Sequence, residues 1–403
     1  MKARTRTLLA AALVLGVAAG PVAGAQAAPA PAPVSAPAPS PVFSTPPDAA
    51  ALRKAITGLG AGHREATAAL VRVGGTSGSW RGSSGVADVR SGRQAIEDAR
   101  FRAGSVTKTF TAAVVLQLAA EGRVGLDRPV QEYLPGLLPD GPKGFKPVTV
   151  RQLLNYTSGL RSADGPGDTF EDEYAHRFDV VDPRALIAGA VAKGPEYDPG
   201  TKQRYGNIHY TVLGVLIERL TGSAYEKAVS DRILKPLGLR HTSFPSRTQN
   251  RIPGPHHHGY QAVERPDGSR ALVDVSEWNS SANWAAGDLI STTADLERFT
   301  VALFGGAVVP KAQLEEMFTV PDVPDAAGEK GEHAVHTAGM AEFVLPDGTK
   351  AYGKTGSRHG YSTVIGGTRD LSRTLVFSVN STDAKGRDLN GTTYGIVAAA
   401  FSK

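Results

Sequence analysis

Apolar positions run almost unbroken through Phe101–Gly122, FRAGSVTKTFTAAVVLQLAAEG. A helix that is apolar nearly all round belongs in a core rather than on a surface, and Gly122 is placed to stop it. A second run, Tyr210–Leu220, ends at Gly222. Shorter helical patterns cover Ala49–Leu59, behind the start Thr45-Pro46-Pro47-Asp48, and Thr149–Leu154, Pro183–Ala192, Tyr225–Leu234, Asp295–Leu303 and Leu389–Phe401. Val130–Leu134 reads as a short amphipathic turn. Strand patterns fill Ala68–Val73 and Gly78–Val89, paired around Gly74-Gly75-Thr76, then His336–Leu345, Lys350–Lys354, Tyr361–Gly367 and Thr374–Ser381. Residues 240–285 carry several Gly and Pro and read as loop. Strands at both ends with helices between them predict an α/β (α+β) fold. One antiparallel sheet, flanked by helices, takes strands from both chain ends. The sheet domain is expected over residues 45–128 and 288–403, with a mostly helical domain, 129–287, inserted in it.

Before residue 45 the pattern changes. Lys2, Arg4 and Arg6 precede the apolar run Leu8–Ala19, and Ala23-Gly24-Ala25 or Ala25-Gln26-Ala27 offers a small-residue cleavage site. Residues 1–27 therefore read as an export signal, which predicts a secreted, extracellular protein. The apolar run is too short to span a bilayer comfortably, and no later stretch is longer without charges, so no membrane span is expected. Residues 28–44, with Pro29, Pro31, Pro33, Pro37, Pro39 and Pro41, read as an extended tether without packed structure.

Composition narrows the chemistry. The net charge of +5 comes from 44 basic and 39 acidic residues with no like-charge block, so nothing points to a nucleic-acid partner. Cysteine is absent from the 403 residues. That removes disulfides, a thiol nucleophile and thiolate zinc sites, and leaves stability to core burial.

Three local patterns could carry a reaction. Ser105-Val106-Thr107-Lys108 sits at the head of the first apolar run, Tyr205-Gly206-Asn207 precedes the second, and Lys354-Thr355-Gly356 lies on a strand pattern. Ser105 and Lys108 are three apart and share a helix face if a helix begins there. A helix N-terminus also favours developing negative charge. A single Ser-x-x-Lys is expected roughly once by chance in such a chain, but the three patterns in this order are rare. Together they suit acyl transfer, with the Ser105 hydroxyl as nucleophile and a neighbouring base to take its proton. Lys108 serves if burial and the Lys354 ammonium lower its pKa; Tyr205 serves if flanking cations favour its phenolate. Sequence leaves both open. Asn207 offers an amide to hold a substrate amide, and the backbone N–H groups of Ser105 and Ser357 could bind the oxyanion. His256-His257-His258 reads as loop histidines, since adjacent side chains point in different directions. His359 fits a pocket rim or a structural role, and Trp278 and Trp284 fit a cleft wall or core packing.

These motifs resemble the serine beta-lactamase and penicillin-binding-protein superfamily. The chain is most similar to its class C beta-lactamase branch and to exported D-alanyl-D-alanine carboxypeptidases of Streptomyces. The likeness covers roughly residues 50–400. It includes Tyr133-Leu134-Pro135-Gly136, Arg151-Gln152-Leu153-Leu154 with Thr157-Ser158-Gly159-Leu160, Leu237-Gly238-Leu239, and Ala286-Gly287-Asp288-Leu289-Ile290-Ser291-Thr292. The resemblance implies a monomeric, penicillin-binding enzyme that forms an acyl-enzyme at Ser105. Lys108 and Tyr205 would be catalytic, and Asn207, Lys354, Thr355 and Gly356 would bind substrate, with no metal or organic cofactor. The implied substrates are D-alanyl-D-alanine peptides of peptidoglycan precursors, or alternatively lactams, esters or D-amino-acid peptides; a non-catalytic penicillin-binding module is the reading from another class. The related carboxypeptidases carry an arginine ahead of the third motif to grip the substrate carboxylate. Gly339–Gly353 has none, which leaves Arg358 or Lys350 as replacements. Those relatives often have His where this chain has Lys354. The class A deacylation glutamate has no counterpart, so lactam hydrolysis would need a tyrosine-based route.

Overall fold

The first and last strands of the chain lie side by side. In this computed structural model, which describes residues 40–139, 144–328, 332–386 and 390–402, β1 (Ala66–Gly74) is followed by β2 (Trp80–Asp88) and β3 (Arg93–Gln94). Two short pairings come next in the chain: β4 (Phe101–Arg102) with β7 (Ile290–Ser291), and the hairpin of β5 (Tyr260–Glu264) and β6 (Arg270–Asp274). The last strands are β8 (Ala341–Val344), β9 (Lys350–Arg358), β10 (Tyr361–Thr368) and β11 (Thr374–Ser381). The main sheet is antiparallel throughout, in the order β3-β2-β1-β11-β10-β9-β8. β1 pairs with β11 from Ala66↔Ser381 to Gly74↔Thr374.

Alternation along these strands splits the core between two faces. Val71, Val73, Leu375, Phe377 and Val379 pack against Leu52 and Ile396 of the helices Ala49–Ala55 and Gly391–Ala400. Leu70, Ile365 and Val376, on the opposite face, join a core that runs on through the helices Thr293–Phe304, Thr107–Ala120 and Asn207–Thr221. Residues Pro41–Lys403 form one compact unit. No helix among the described residues is long and apolar enough to cross a membrane.

The expected antiparallel sheet flanked by helices and built from both chain ends is present, with local corrections. The export-signal residues, most of the tether and Leu389 lie outside the described residues. The tether's end is packed rather than extended in solvent: Phe43 is 1% exposed, meets Phe401 edge-on at 5.9 Å and donates its N–H to Ser372 Oγ at 3.0 Å. An aromatic side chain in a Pro/Ala stretch is enough to anchor it to a core. The loop expected over 240–285 contains the β5–β6 hairpin, turned at Pro266-Asp267-Gly268. The strand expected over His336–Leu345 shrinks to β8, because Gly339 breaks it at φ +78°. β9 extends past Lys354 to Arg358, paired with β10 throughout.

Candidate active site

Ser105 sits on a 3-10 turn, Gly104–Val106, and the α-helix proper begins at Thr107. Thr107 Oγ1 donates to Gly104 O at 2.7 Å and accepts from Leu289 N at 3.0 Å, which fixes the turn. Two glycines let this turn touch β9. Gly104 has φ +54°, and a Cβ there would lie 2.7 Å from Ser357 N. A Cβ on Gly356 would lie 2.0 Å from Ala103 O and 3.2 Å from Ser105 N. Any larger residue at either place would push the strand away from the turn. The backbone nitrogens of Ser105 and Ser357 are thereby drawn to one spot.

Lys108 follows one turn later and is fully buried. Its Nζ lies 3.1 Å from Ser105 Oγ, 2.7 Å from Asn207 Oδ1 and 2.7 Å from Ala286 O. Asn207 opens the helix Asn207–Thr221, and Ala286 belongs to the short helix Trp284–Gly287. Three helix ends therefore converge on one amine. Burying an ammonium without a carboxylate is costly. Burial pushes the Lys108 amine well below the usual lysine range, and the nearby Lys354 and Lys385 push the same way. Burial also lowers Lys354, to about 7. Its Nζ donates to Thr355 O at 2.9 Å.

Tyr205 lies between the two amines, with Lys108 Nζ 4.9 Å and Lys354 Nζ 4.8 Å from its ring centre. The residue is 36% exposed, but its hydroxyl is hydrogen-bonded to Ser105. Burial of that hydroxyl raises its pKa above the ordinary phenol value, and the bond to Ser105 only partly opposes this. Burial thus acts against the phenolate that the flanking cations Lys108 and Lys354 would favour. Tyr156 and His336 brace the ring, at 4.9 and 5.0 Å between centres. Tyr156 holds φ 62°, in the left-handed region. The His336 imidazole is pushed down to about 3 by burial and by the cations Lys354 and Lys108, and so stays neutral. Gln203, 1% exposed, clamps this wall: its Oε1 accepts from His336 N at 2.9 Å and its Nε2 donates to His336 O at 2.8 Å.

These groups line a cleft of about 390 Å3 that holds Ser105, Tyr205, Asn207, Lys354, Thr355 and Ser357. Sequence motifs alone had not offered His336, Asn283, Gly287 or Lys385, which also line it. Only Gly287 stood in a quoted framework stretch. Arg358 reaches the cleft, whereas Lys350 pairs with Glu342 at 3.1 Å and lies four residues up β9 from Lys354. The three loop histidines bond to different partners, although the rings of His256 and His258 stack at 5.3 Å. His257 Nε2 accepts from Ile96 N, His258 Nδ1 meets Asp274 at 2.7 Å, and His256 Nδ1 meets Gly254 O. Trp278 walls the cavity next to the cleft and stacks on His359 at 5.0 Å, while Trp284 is a core residue that donates to Glu226 at 2.8 Å.

A hydroxyl, a buried amine, a phenol and a second amine gathered between a helix head and strand β9 of an antiparallel sheet fit the beta-lactamase/penicillin-binding-protein fold, although the chain spans only about half to two thirds of the length of the curated relatives it matches. The chain belongs to the Beta-lactamase family, whose sequence model matches residues 52–399. It is 35% identical over 199 residues to the esterase EstB of Burkholderia gladioli, covering 47% of this chain and 50% of the esterase. It is 27% identical over 301 residues to PbpX of Bacillus subtilis (strain 168), named as a candidate penicillin-binding protein, covering 74% of this chain and 66% of PbpX. Among solved structures, a D-stereospecific amidohydrolase from Streptomyces sp. superposes with a TM-score of 0.73 at 34% identity, covering 88% of this chain and 99% of that one. A D-amino acid amidase from Ochrobactrum anthropi SV3 shares the fold, with a TM-score of 0.70 at 23% identity and coverage of 87% and 98%.

Proposed function

We propose that this chain is an exported serine hydrolase that cleaves amide or ester bonds at the carbonyl of D-amino-acid residues through an acyl-enzyme on Ser105. The observation that carries the reading is the set of neighbours around Lys108 Nζ. Two of its three partners, Asn207 Oδ1 and Ala286 O, can only accept hydrogen bonds, and each lies at 2.7 Å. A neutral amine has two N–H donors and one lone pair. Donating to those two oxygens leaves the lone pair facing Ser105 Oγ at 3.1 Å. Lys108 is thus the base: it takes the Ser105 proton as Oγ bonds to the substrate carbonyl carbon. The carbonyl oxygen receives hydrogen bonds from Ser105 N and Ser357 N, donors typically worth about 3 kcal/mol each. Tyr205, kept protonated, gives its proton to the leaving group and regains one from Lys108. Asn207 keeps only its Nδ2 free to hold a substrate amide, while Lys354, Thr355 and Gly356 border the leaving group.

The 34% identity to a D-stereospecific amidohydrolase over nearly its whole length supports this substrate class. The narrower reading is a D-alanyl-D-alanine carboxypeptidase. Lys354 and the Thr355 hydroxyl along the cleft favour it, as groups able to meet a leaving-group carboxylate. The absence of an arginine from Gly339–Gly353 weighs against it.

The test is intact mass followed over time after adding benzylpenicillin, beside turnover of the D- and L-enantiomers of an amino-acid amide and its ester, a D-alanyl-D-alanine peptide and a lactam. Covalent labelling of wild type but not of Ser105→Ala is the expected result. Labelling of both, or turnover of L- and D-substrates at equal rates, overturns the reading.

A further inference from the structure

Beyond Asn207 and Asn283 the cleft opens into a second cavity of about 560 Å3, and Arg358 and Lys385 line both spaces. Arg358 ends β9 and is 6% exposed, with its guanidinium carbon 5.9 Å from the Trp278 ring centre. Its Nε has no hydrogen-bond partner, and among the described residues the guanidinium forms no ion pair. An arginine so deeply placed is ordinarily paired with a carboxylate.

The nearby acids do not supply that pair. Glu173 lines the same cavity, bonds His359 Nε2 at 3.0 Å and attracts Arg358 and Lys385 at longer range, but among the described residues it forms no ion pair with either. Asp288 is buried, burial raises its carboxyl well above the usual range, and among the described residues it forms no ion pair with Arg358. Elsewhere in the cavity Asp164 binds Lys193 at 2.6 Å and Asp179 binds His176 at 2.7 Å. Lys385 is exposed on the turn after β11, and that turn is tied to β9 by the Ser357 hydroxyl donating to Ala384 O. Two cations therefore face the junction of the spaces, on the side where the Asn207 and Asn283 amides stand. His336 borders the nucleophile's cleft but not the second cavity.

We propose that Arg358 and Lys385 form an anion subsite for a carboxylate on the acyl portion of the substrate, several bonds from the scissile carbonyl, so that acyl donors bearing such a carboxylate are selected. The subsite rests on the acyl-enzyme reading above and concerns the opposite side of the scissile bond from the leaving group. Charge-assisted bonds to a guanidinium and an ammonium should favour an anionic donor about tenfold or more over a neutral one.

The experiment compares kcat/KM for N-succinyl-D-alanine p-nitroanilide with that for its terminal amide, the succinamoyl analogue. It adds the leaving-group pair N-acetyl-D-alanyl-D-alanine and its C-terminal amide. Wild type is expected to prefer the succinyl donor about tenfold or more, with the ratio falling toward one in Arg358→Gln and partly in Lys385→Gln. Lys385 is exposed, so its variant keeps the test open if the Arg358 change impairs folding. A wild-type ratio near one, or a preference that survives both substitutions, overturns the subsite. Loss of discrimination in the leaving-group pair alone also overturns it, by moving the cations' role to the other side. Failure of the underlying reading has a different signature, since then no donor is turned over and no penicillin adduct forms on Ser105.

Discussion

Two cavities of similar size show how differently this fold treats charge. The cleft at Ser105 measures about 390 Å3, and a depression lined by Arg90, Arg177, Arg251, His258, Asp274 and Glu277 measures about 350 Å3. In the depression charge is largely matched. Arg251 meets Glu277 at 2.9 Å, His258 meets Asp274 at 2.7 Å, Arg90 lies 3.8 Å from Asp274, and Arg177 rests 3.8 Å over the Tyr174 ring. In the cleft, Lys108 and Lys354 find only carbonyl, amide and hydroxyl oxygens among the described residues. Matched surface charges relax into structure and contribute little. Unmatched buried amines are held away from their ordinary pKa values, which is what a proton-transfer site needs. Cavity size alone does not separate the two; the pairing of charge does.

The comparison breaks if the cleft tolerates changes that the depression tolerates. The largest effect is expected for Ser105→Ala. Hydrolysis of a D-amino-acid ester should fall about 10,000-fold or more, with melting temperature nearly unchanged because serine and alanine differ little in volume. Residual turnover near wild type would remove Ser105 from the reaction. Lys108→Met should cost about a hundredfold to ten-thousandfold in kcat, the range typical of a lost general base.

Gly356→Ala should lower turnover by about a hundredfold and stability by about 2 kcal/mol, since its Cβ would lie 2.0 Å from Ala103 O. Denaturant midpoints and kcat together would show whether strand and turn must touch.

Lys354 sharpens the electrostatic side. Its ammonium depresses Lys108, so Lys354→Met should raise the Lys108 pKa and move the acid limb of kcat/KM to higher pH. An unmoved limb would uncouple the two amines. Burial lowers the Lys354 pKa from 10.5 to about 7, so between those values the unfolded chain binds a proton that the folded chain has released. This group's contribution therefore makes stability rise with pH across that window. Urea midpoints at about pH 7 and about pH 9.5 should show the rise in wild type and a flatter response in Lys354→Met. The smallest effect belongs to the depression. Arg251→Gln or Glu277→Gln should leave turnover within about twofold and stability within about 0.5 kcal/mol. A larger loss would mean that the paired charges there are used.

Where periodicity was strong, the elements stand close to where the chain's pattern puts them. Pro183–Ala192 and Thr374–Ser381 match residue for residue, and the apolar run behind Lys108 is the buried helix it resembles. The β5–β6 hairpin was hidden because Gly and Pro dominate its surroundings, and Phe43 because one aromatic side chain leaves no period. His336 and Lys385 carry no motif. They reach the cleft only because the Gln203 clamp and the Ser357–Ala384 hydrogen bond bring distant loops to it.

The sequence by itself determined the covalent inventory: a hydroxyl and an amine one turn apart, a phenol before one helix, a second amine on a strand. Local spacing is enough for that, because backbone geometry makes neighbours of residues three apart. Tertiary structure alone sets the surroundings on which their protonation depends. Whether Lys108 is a base and Tyr205 an acid depends on which carbonyls, cations and lost waters surround them, and those come from segments far apart in the chain.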